Sequence, residues 1–140
     1  MLRRAPVALL GVLLAAIFAG CGTGKGKVAA EKAVADFHQR LDRSDFGRIY
    51  ASAGSDLKNA STEKDFVELL DAVHRKLGSV QSAQLAGWRS GTFNRESRVS
   101  LSYKTTFTGG VAQENFDYRI DGPKASLIGY HINSNVLIVK

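Results

Sequence analysis

The sequence predicts an α+β fold in which N-terminal helices pack on one face of a curved, four-stranded antiparallel sheet. Apolar residues recur at helical spacing as far as Gly78, and beyond it they alternate with a period of two. Two turn sequences, Gly109-Gly110 and Asp121-Gly122-Pro123, divide the second part into strands. The chain has 140 residues, a length that suits one folded domain.

Three helices are predicted before Gly78. The first runs from about Lys27 to Asp42 and the second, shorter one from Phe46 to Ala51, each with apolar residues three and four positions apart. The third has the clearest start, because Thr62 stands three residues before Asp65 in a pattern typical of a capping box. It ends at Gly78, a residue that readily adopts the left-handed backbone of a helix stop.

Four strands are predicted after Gly78. The first spans Val80 to Trp88, and its alternation does not show which side faces the core. The other three strands alternate cleanly, so that each has one apolar face. The residues on these apolar faces are Val99, Leu101, Tyr103, Thr105, Phe107, Phe116, Tyr118, Ile120, Ile128, Tyr130 and Ile132. Residues 136–139 either extend the last strand or cover a sheet edge.

Residues 1–20 have the organisation of a secretory signal peptide. Arg3 and Arg4 precede an apolar run from Val7 to Phe18, and the small residues Ala19-Gly20 follow it. The run is shorter than the ~20 residues that a membrane-spanning helix needs. We therefore expect cleavage between Gly20 and Cys21.

Cys21 is the only cysteine, and an exported chain with one thiol has no internal disulfide partner for it. Residues 17–21 resemble the bacterial lipobox, with Phe18 where leucine is usual. The resemblance implies that palmitate-type acyl chains on Cys21 anchor the protein in the bacterial cell envelope. Gly22 favours the outer membrane, facing the periplasm, in a host with two membranes. The alternative is a secreted protein with a free Cys21.

Residues 21–27 follow as a glycine-rich tether, and residues 28–140 form the single α+β domain. The chain has a net charge of +6, and loss of the two leader arginines lowers it to +4. The remaining basic residues are scattered, whereas nucleic-acid-binding proteins cluster them. Nucleic acid is therefore not an expected partner, and a mildly basic surface near anionic headgroups explains the charge.

Three helices followed by a four-stranded meander look like the nuclear-transport-factor-2-like, or cystatin-like, architecture. More closely, residues 27–134 resemble a family of small bacterial lipoproteins and periplasmic proteins with that fold and no assigned activity. The residues that carry the likeness are Phe46, Tyr50, Leu77-Gly78, Tyr103, Phe107, Glu114 and Gly129-Tyr130. The resemblance implies the fold and leaves the function open.

Enzymes of this architecture hold their substrate in a cone between sheet and helices, and isomerase-like members use an inward carboxylate beside phenols. Glu114 shares the alternation of the third strand's aromatic residues and is the candidate carboxylate, although it lies next to a turn and a solvated position is the simpler explanation. The candidate pocket or contact residues are Trp88, Tyr103, Phe107, Glu114, Phe116, Tyr118 and Tyr130. We expect most of these aromatic residues to form core and Trp88 to be the one partly exposed.

No other chemistry is predicted. His38, His74 and His131 have no ligand-like spacing, so neither a metal site nor a cofactor is expected. The leading hypothesis is a non-catalytic, lipid-anchored binding or assembly module with a protein partner in the envelope, as a monomer or a homodimer. The alternatives are a carrier of small apolar ligands or an isomerase-like enzyme that uses the cone, and a toxin-immunity or inhibitor lipoprotein.

Overall fold

The structure is a computed structural model that describes residues 23–138. Its elements in chain order are α1 (Thr23–Asp42), α2 (Phe46–Ser52), α3 (Ser55–Ala60), α4 (Glu63–Leu77), β1 (Val80–Phe93), β2 (Glu96–Phe107), β3 (Gly110–Asp121), β4 (Lys124–Asn133) and α5 (Asn135–Ile138). The strands form one antiparallel sheet in the order β1-β2-β3-β4, which does not close into a barrel. The predicted α+β class, with helices before a four-stranded sheet, is confirmed. Gly20, Cys21 and the predicted signal peptide lie outside the described residues.

The core lies between α1, α4 and one face of the sheet. The buried faces of β2 and β3 match the predicted alternation, from Val99 to Phe107 and from Ala112 to Tyr118. Helix α1 contacts all four strands, and its buried residues Val34, Phe37 and Leu41 form the stripe that packs there. None of the helices in residues 23–138 is both long enough and apolar enough to cross a membrane.

Helix α1 begins four residues earlier than predicted, so most of the expected tether is helical. Gly26 is buried within it, and a methyl group there would lie 3.5 Å from Val99 and 3.6 Å from Ile120. The absence of a side chain therefore lets the first turns of α1 lie directly on β2 and β3. Glycine composition suggested a flexible segment, but close packing against the sheet favours a helix.

Two further differences arise at β4. Helix α3 was not predicted, and the N–H of Gly54 before it donates to the carbonyl of Leu127 at 2.7 Å. The register shifts between Asp117 and Tyr118, so Ile128 is an extra residue in β4. As a result Leu127, rather than Ile128, joins Tyr130 in the core. The predicted alternation of β4 is wrong by this one bulge.

The predicted helix cap and turns are present. The Thr62 side chain accepts a hydrogen bond from the backbone of Asp65 at 3.2 Å, and Gly78 ends α4 with a φ of +77°. The β2–β3 and β3–β4 turns fall at the two predicted glycine sequences. Asn135–Ile138 form α5, which packs on α4 and does not extend β4.

Candidate functional site

Glu114 lies in the core and is completely buried, with a relative exposure of 0%. The solvated position expected from its place next to a turn is therefore wrong, because the side chain lies on the core face of its strand. Its Oε1 atom is 2.7 Å from Nε2 of His38, and its Oε2 atom accepts a hydrogen bond from the Tyr130 hydroxyl, also at 2.7 Å. These three residues are named the Glu114 cluster here. Both carboxyl oxygens therefore have a protein partner, as a buried charged group requires.

Local structure brings these residues together from three elements. Glu114 is on the core face of β3, and Tyr130 reaches it from β4, where it pairs with Phe116, two residues further along β3. His38 lies four residues after Val34 on α1, so the same helix face that supplies apolar residues also supplies the imidazole. The cluster consequently ties α1 to the middle of the sheet.

Aromatic rings surround the cluster on the core side. The Phe116 ring centre is 5.1 Å from that of Phe37, 5.2 Å from that of Tyr130 and 6.0 Å from that of Tyr103. Tyr118 stacks next to Phe116 at 6.3 Å. All five rings are buried, and the contacts are at the distances of packed aromatic pairs. Around Glu114, the space between the helices and the sheet is therefore filled by packed side chains.

Burial also determines the protonation of the phenols. Desolvation raises the pKa of Tyr130 well above its usual 10, and the neighbouring Glu114 carboxylate raises it further. Desolvation likewise raises the pKa values of Tyr118 and Tyr103. Tyr130 is therefore a hydrogen-bond donor at neutral pH. When Glu114 is ionised, Nε2 of His38 carries the hydrogen of the second bond.

A cleft of about 230 Å³ lies beside the cluster, between α1, α2 and β4. Phe37 and Tyr118 form part of its wall, and the charged residues Asp36, Arg40 and Lys124 also line it. Glu114 is not among its lining residues. The carboxylate predicted as a candidate base is thus buried in the core and does not line the cleft.

The other predicted residues lie elsewhere. Trp88 is on β1 and is 45% exposed, as expected, with the Lys27 ammonium group 5.6 Å from its ring centre. Phe107 is buried at the end of β2, where it pairs with Val80 and Gly110. The seven predicted residues therefore do not line one pocket. Six are buried, with Phe107 in the same hydrophobic core as the aromatic residues around Glu114, and Trp88 is the exposed one.

His38 is the member of the cluster that sequence reasoning missed. It was considered only as a metal ligand, and nothing local connects it to a carboxylate 76 residues later. Its position next to Phe37 on a buried helix face is the only signal that could have found it. Among residues 23–138, no group of three or more potential metal ligands comes together.

The most exposed element is β1. None of its fourteen residues is buried, although it pairs with β2 along its whole length. Its other edge has no strand neighbour in the described part of the chain. Phe93, at its end, is 58% exposed.

No protein-family model matches the chain, and a search of curated proteins finds no match either.

Proposed function

We propose that this chain is a lipid-anchored protein of the bacterial cell envelope that binds another envelope protein without catalysing a reaction, through β1. The observation that carries the proposal is the state of that strand: fourteen residues, none buried, on an open edge of the sheet. We also propose the nuclear-transport-factor-2-like architecture, which the order of helices and meander supports.

The chemistry of β1 suits an extended partner segment. Edge strands that must stay unpaired usually carry charges or proline, yet β1 has one ionisable side chain, Arg89, and no proline. Its free backbone groups offer hydrogen bonds to an added strand, and Trp88 supplies an aromatic anchor on the same element. We therefore expect recognition by strand addition.

The core supports binding at the surface over catalysis inside the cone. An isomerase-like reaction needs the Glu114 carboxylate in contact with a ligand. Both oxygens are instead bonded to His38 and Tyr130, and the side chain has no exposed surface. The cluster acts as a set of buried hydrogen bonds that joins α1 to the sheet.

Site-specific photo-crosslinking in cells tests the proposal. A photoreactive amino acid is placed at Gln84 or Trp88 of β1 in the tagged, anchored protein, and at Leu69 of α4 as a matched control. Leu69 is 40% exposed, close to the exposure of Trp88, but lies on a helix. We expect one discrete crosslinked envelope protein from both β1 positions and none from position 69.

The Trp88→Ala variant sharpens this test. With the photoreactive group at Gln84, the substitution should abolish the crosslink, while Leu69→Ala should leave it unchanged. A crosslink of twice the chain's mass would identify the partner as a second copy paired through β1. Equal crosslinking from β1 and α4, or none from β1, would rule out the edge strand as the contact.

A further inference from the structure

One end of the domain is formed by three segments, named the α1 end here: the first turns of α1, the β1–β2 turn and the β3–β4 turn. Gly26 of α1 packs on Val99 and Ile120, which follow and precede these two turns. A cleft of about 550 Å³ separates Lys25, Val28 and Lys32 from Gly122 and Pro123. These contacts place the start of α1 beside both turns.

The α1 end is basic. Lys25, Lys32, Arg95 and Lys124 are exposed there, and none of the four forms an ion pair within residues 23–138. Other cations nearby are paired, such as Lys27 with Glu31 at 3.0 Å. Asp121 before the β3–β4 turn is also exposed and forms no ion pair in the described chain, so the unpaired groups are four cations and one anion. The excess of unpaired cations is available to an anionic partner.

Arg95 is the most informative of these cations. It occupies the two-residue β1–β2 turn with a φ of +65°, a conformation for which glycine is the ordinary choice. An arginine there adds a charge at the tip of the hairpin at some cost in backbone energy. Beside it Phe93 projects an exposed ring, and Val28 on α1 is 50% exposed.

The position of the proposed anchor indicates that the partner of the α1 end is the bilayer. Helix α1 begins at Thr23, two residues after Cys21, so the helix start lies within about 7 Å of the acylated residue. This step rests on the proposed lipid anchor. An acylated Cys21 lies at the bilayer surface, and only Gly22 separates it in sequence from the first residue of α1.

We propose that the α1 end rests on an anionic bilayer surface, with its unpaired cations on the lipid headgroups and Phe93 and Val28 inserted at the interface. Exposed cations and apolar side chains at one end are the features that interfacial binding requires. The acyl chains then hold the protein, and the α1 end sets its orientation.

Fluorescence quenching tests this with the acylated protein in vesicles. Trp88 is the only tryptophan, so Trp88→Phe/Phe93→Trp carries a single probe at the α1 end. The control is Trp88→Phe/Val111→Trp, because Val111 is 47% exposed and lies beside the β2–β3 turn at the opposite end. With brominated lipids and 30% phosphatidylglycerol, we expect quenching at position 93 and not at position 111.

The charge contribution is tested in the same assay. Adding Arg95→Gly and Lys124→Ser to the position-93 probe should shift the equilibrium away from the docked orientation by about fivefold per cation removed. Arg95→Gly also suits the turn, so the fold should be retained, as circular dichroism would verify. Vesicles of pure phosphatidylcholine should reduce the quenching of the parent probe similarly.

Each result decides the inference. Mass spectrometry first verifies that Cys21 is acylated. If quenching in that protein is absent at position 93, or equal at positions 93 and 111, membrane contact by the α1 end is overturned and the anchor is left intact. Protein that carries no acyl chain overturns the anchor, and the inference with it. Quenching that is unaffected by both substitutions and by lipid charge overturns the role of the cations.

Discussion

Replacing Glu114 by leucine tests whether the Glu114 cluster is structural. Leucine is similar in size but leaves the Tyr130 hydroxyl and Nε2 of His38 without their 2.7 Å partner in a fully buried site. An unsatisfied buried polar group costs about 1–3 kcal/mol, so the two together cost about 2–6 kcal/mol. Small domains have a free energy of unfolding of about 5–15 kcal/mol, and the loss is therefore easily measured.

Two further variants separate polar satisfaction from packing. Glu114→Gln keeps an acceptor for Tyr130 and offers an amide donor to neutral His38, so we expect it to retain most of the stability. Glu114→Leu combined with His38→Phe and Tyr130→Phe removes all three polar groups. This triple variant should be more stable than Glu114→Leu alone, because apolar replacement of a whole buried network is often neutral.

Urea unfolding followed by circular dichroism measures these differences, with unchanged m values as the control for two-state behaviour. A Glu114→Leu protein within about 0.5 kcal/mol of the parent would refute the structural role. A Glu114→Leu protein that is more stable than the parent would do so more strongly. Such a gain is typical of residues kept for function at the expense of stability, and it would revive the isomerase-like alternative.

Three other outcomes follow from the contacts described above. Burial raises the pKa values of Tyr118 and Tyr130, so the unfolded chain loses these two protons at a lower pH than the folded one. The free energy of unfolding is therefore unaffected by them below pH 10 and falls above pH 10 by up to about 2.7 kcal/mol per pH unit for the two groups together. In an alkaline titration, phenolate absorbance from these residues should appear together with unfolding. Gly129→Ala places a methyl group 3.0 Å from an Asp117 carboxylate oxygen and should cost about 1–3 kcal/mol in urea unfolding, much of which Asp117→Ala should recover. Thr62→Ala removes the α4 cap and should lower the unfolding free energy by about 1 kcal/mol in the same assay; an unchanged value would contradict the cap's contribution.

Local signals were sufficient for much of the fold. The start of α4 at Thr62 and its end at Gly78 depend on hydrogen bonds and backbone angles within a few residues, and both were predicted. The faces of β2 and β3 were predicted because each has one buried side, which imposes strict alternation. For these elements, residues within the element itself indicate where it ends and which side is buried.

The differences arise where distant contacts decide. Thr23–Lys27 is helical because Gly26 fits against β2 and β3, which composition alone does not reveal. The bulge at Ile128 accompanies the contact of β4 with Gly54. Strand β1 had no clear facing in the sequence because none of its residues is buried. The lack of a clear apolar alternation in β1 therefore indicated an exposed strand.

Helix α1 links the core to the proposed membrane surface. His38 binds Glu114 about 22 Å along the helix from Thr23, at 1.5 Å per residue, and Gly26 packs on the sheet near the helix start. A helix held at both places has little freedom to pivot on the sheet. The proposed anchor on Cys21 would therefore fix the orientation of the whole domain, β1 included, with respect to the bilayer. An edge strand that is already held in one orientation loses less rotational freedom when it pairs with a membrane-bound partner. The fixed orientation therefore lowers the entropic cost of strand addition at the membrane.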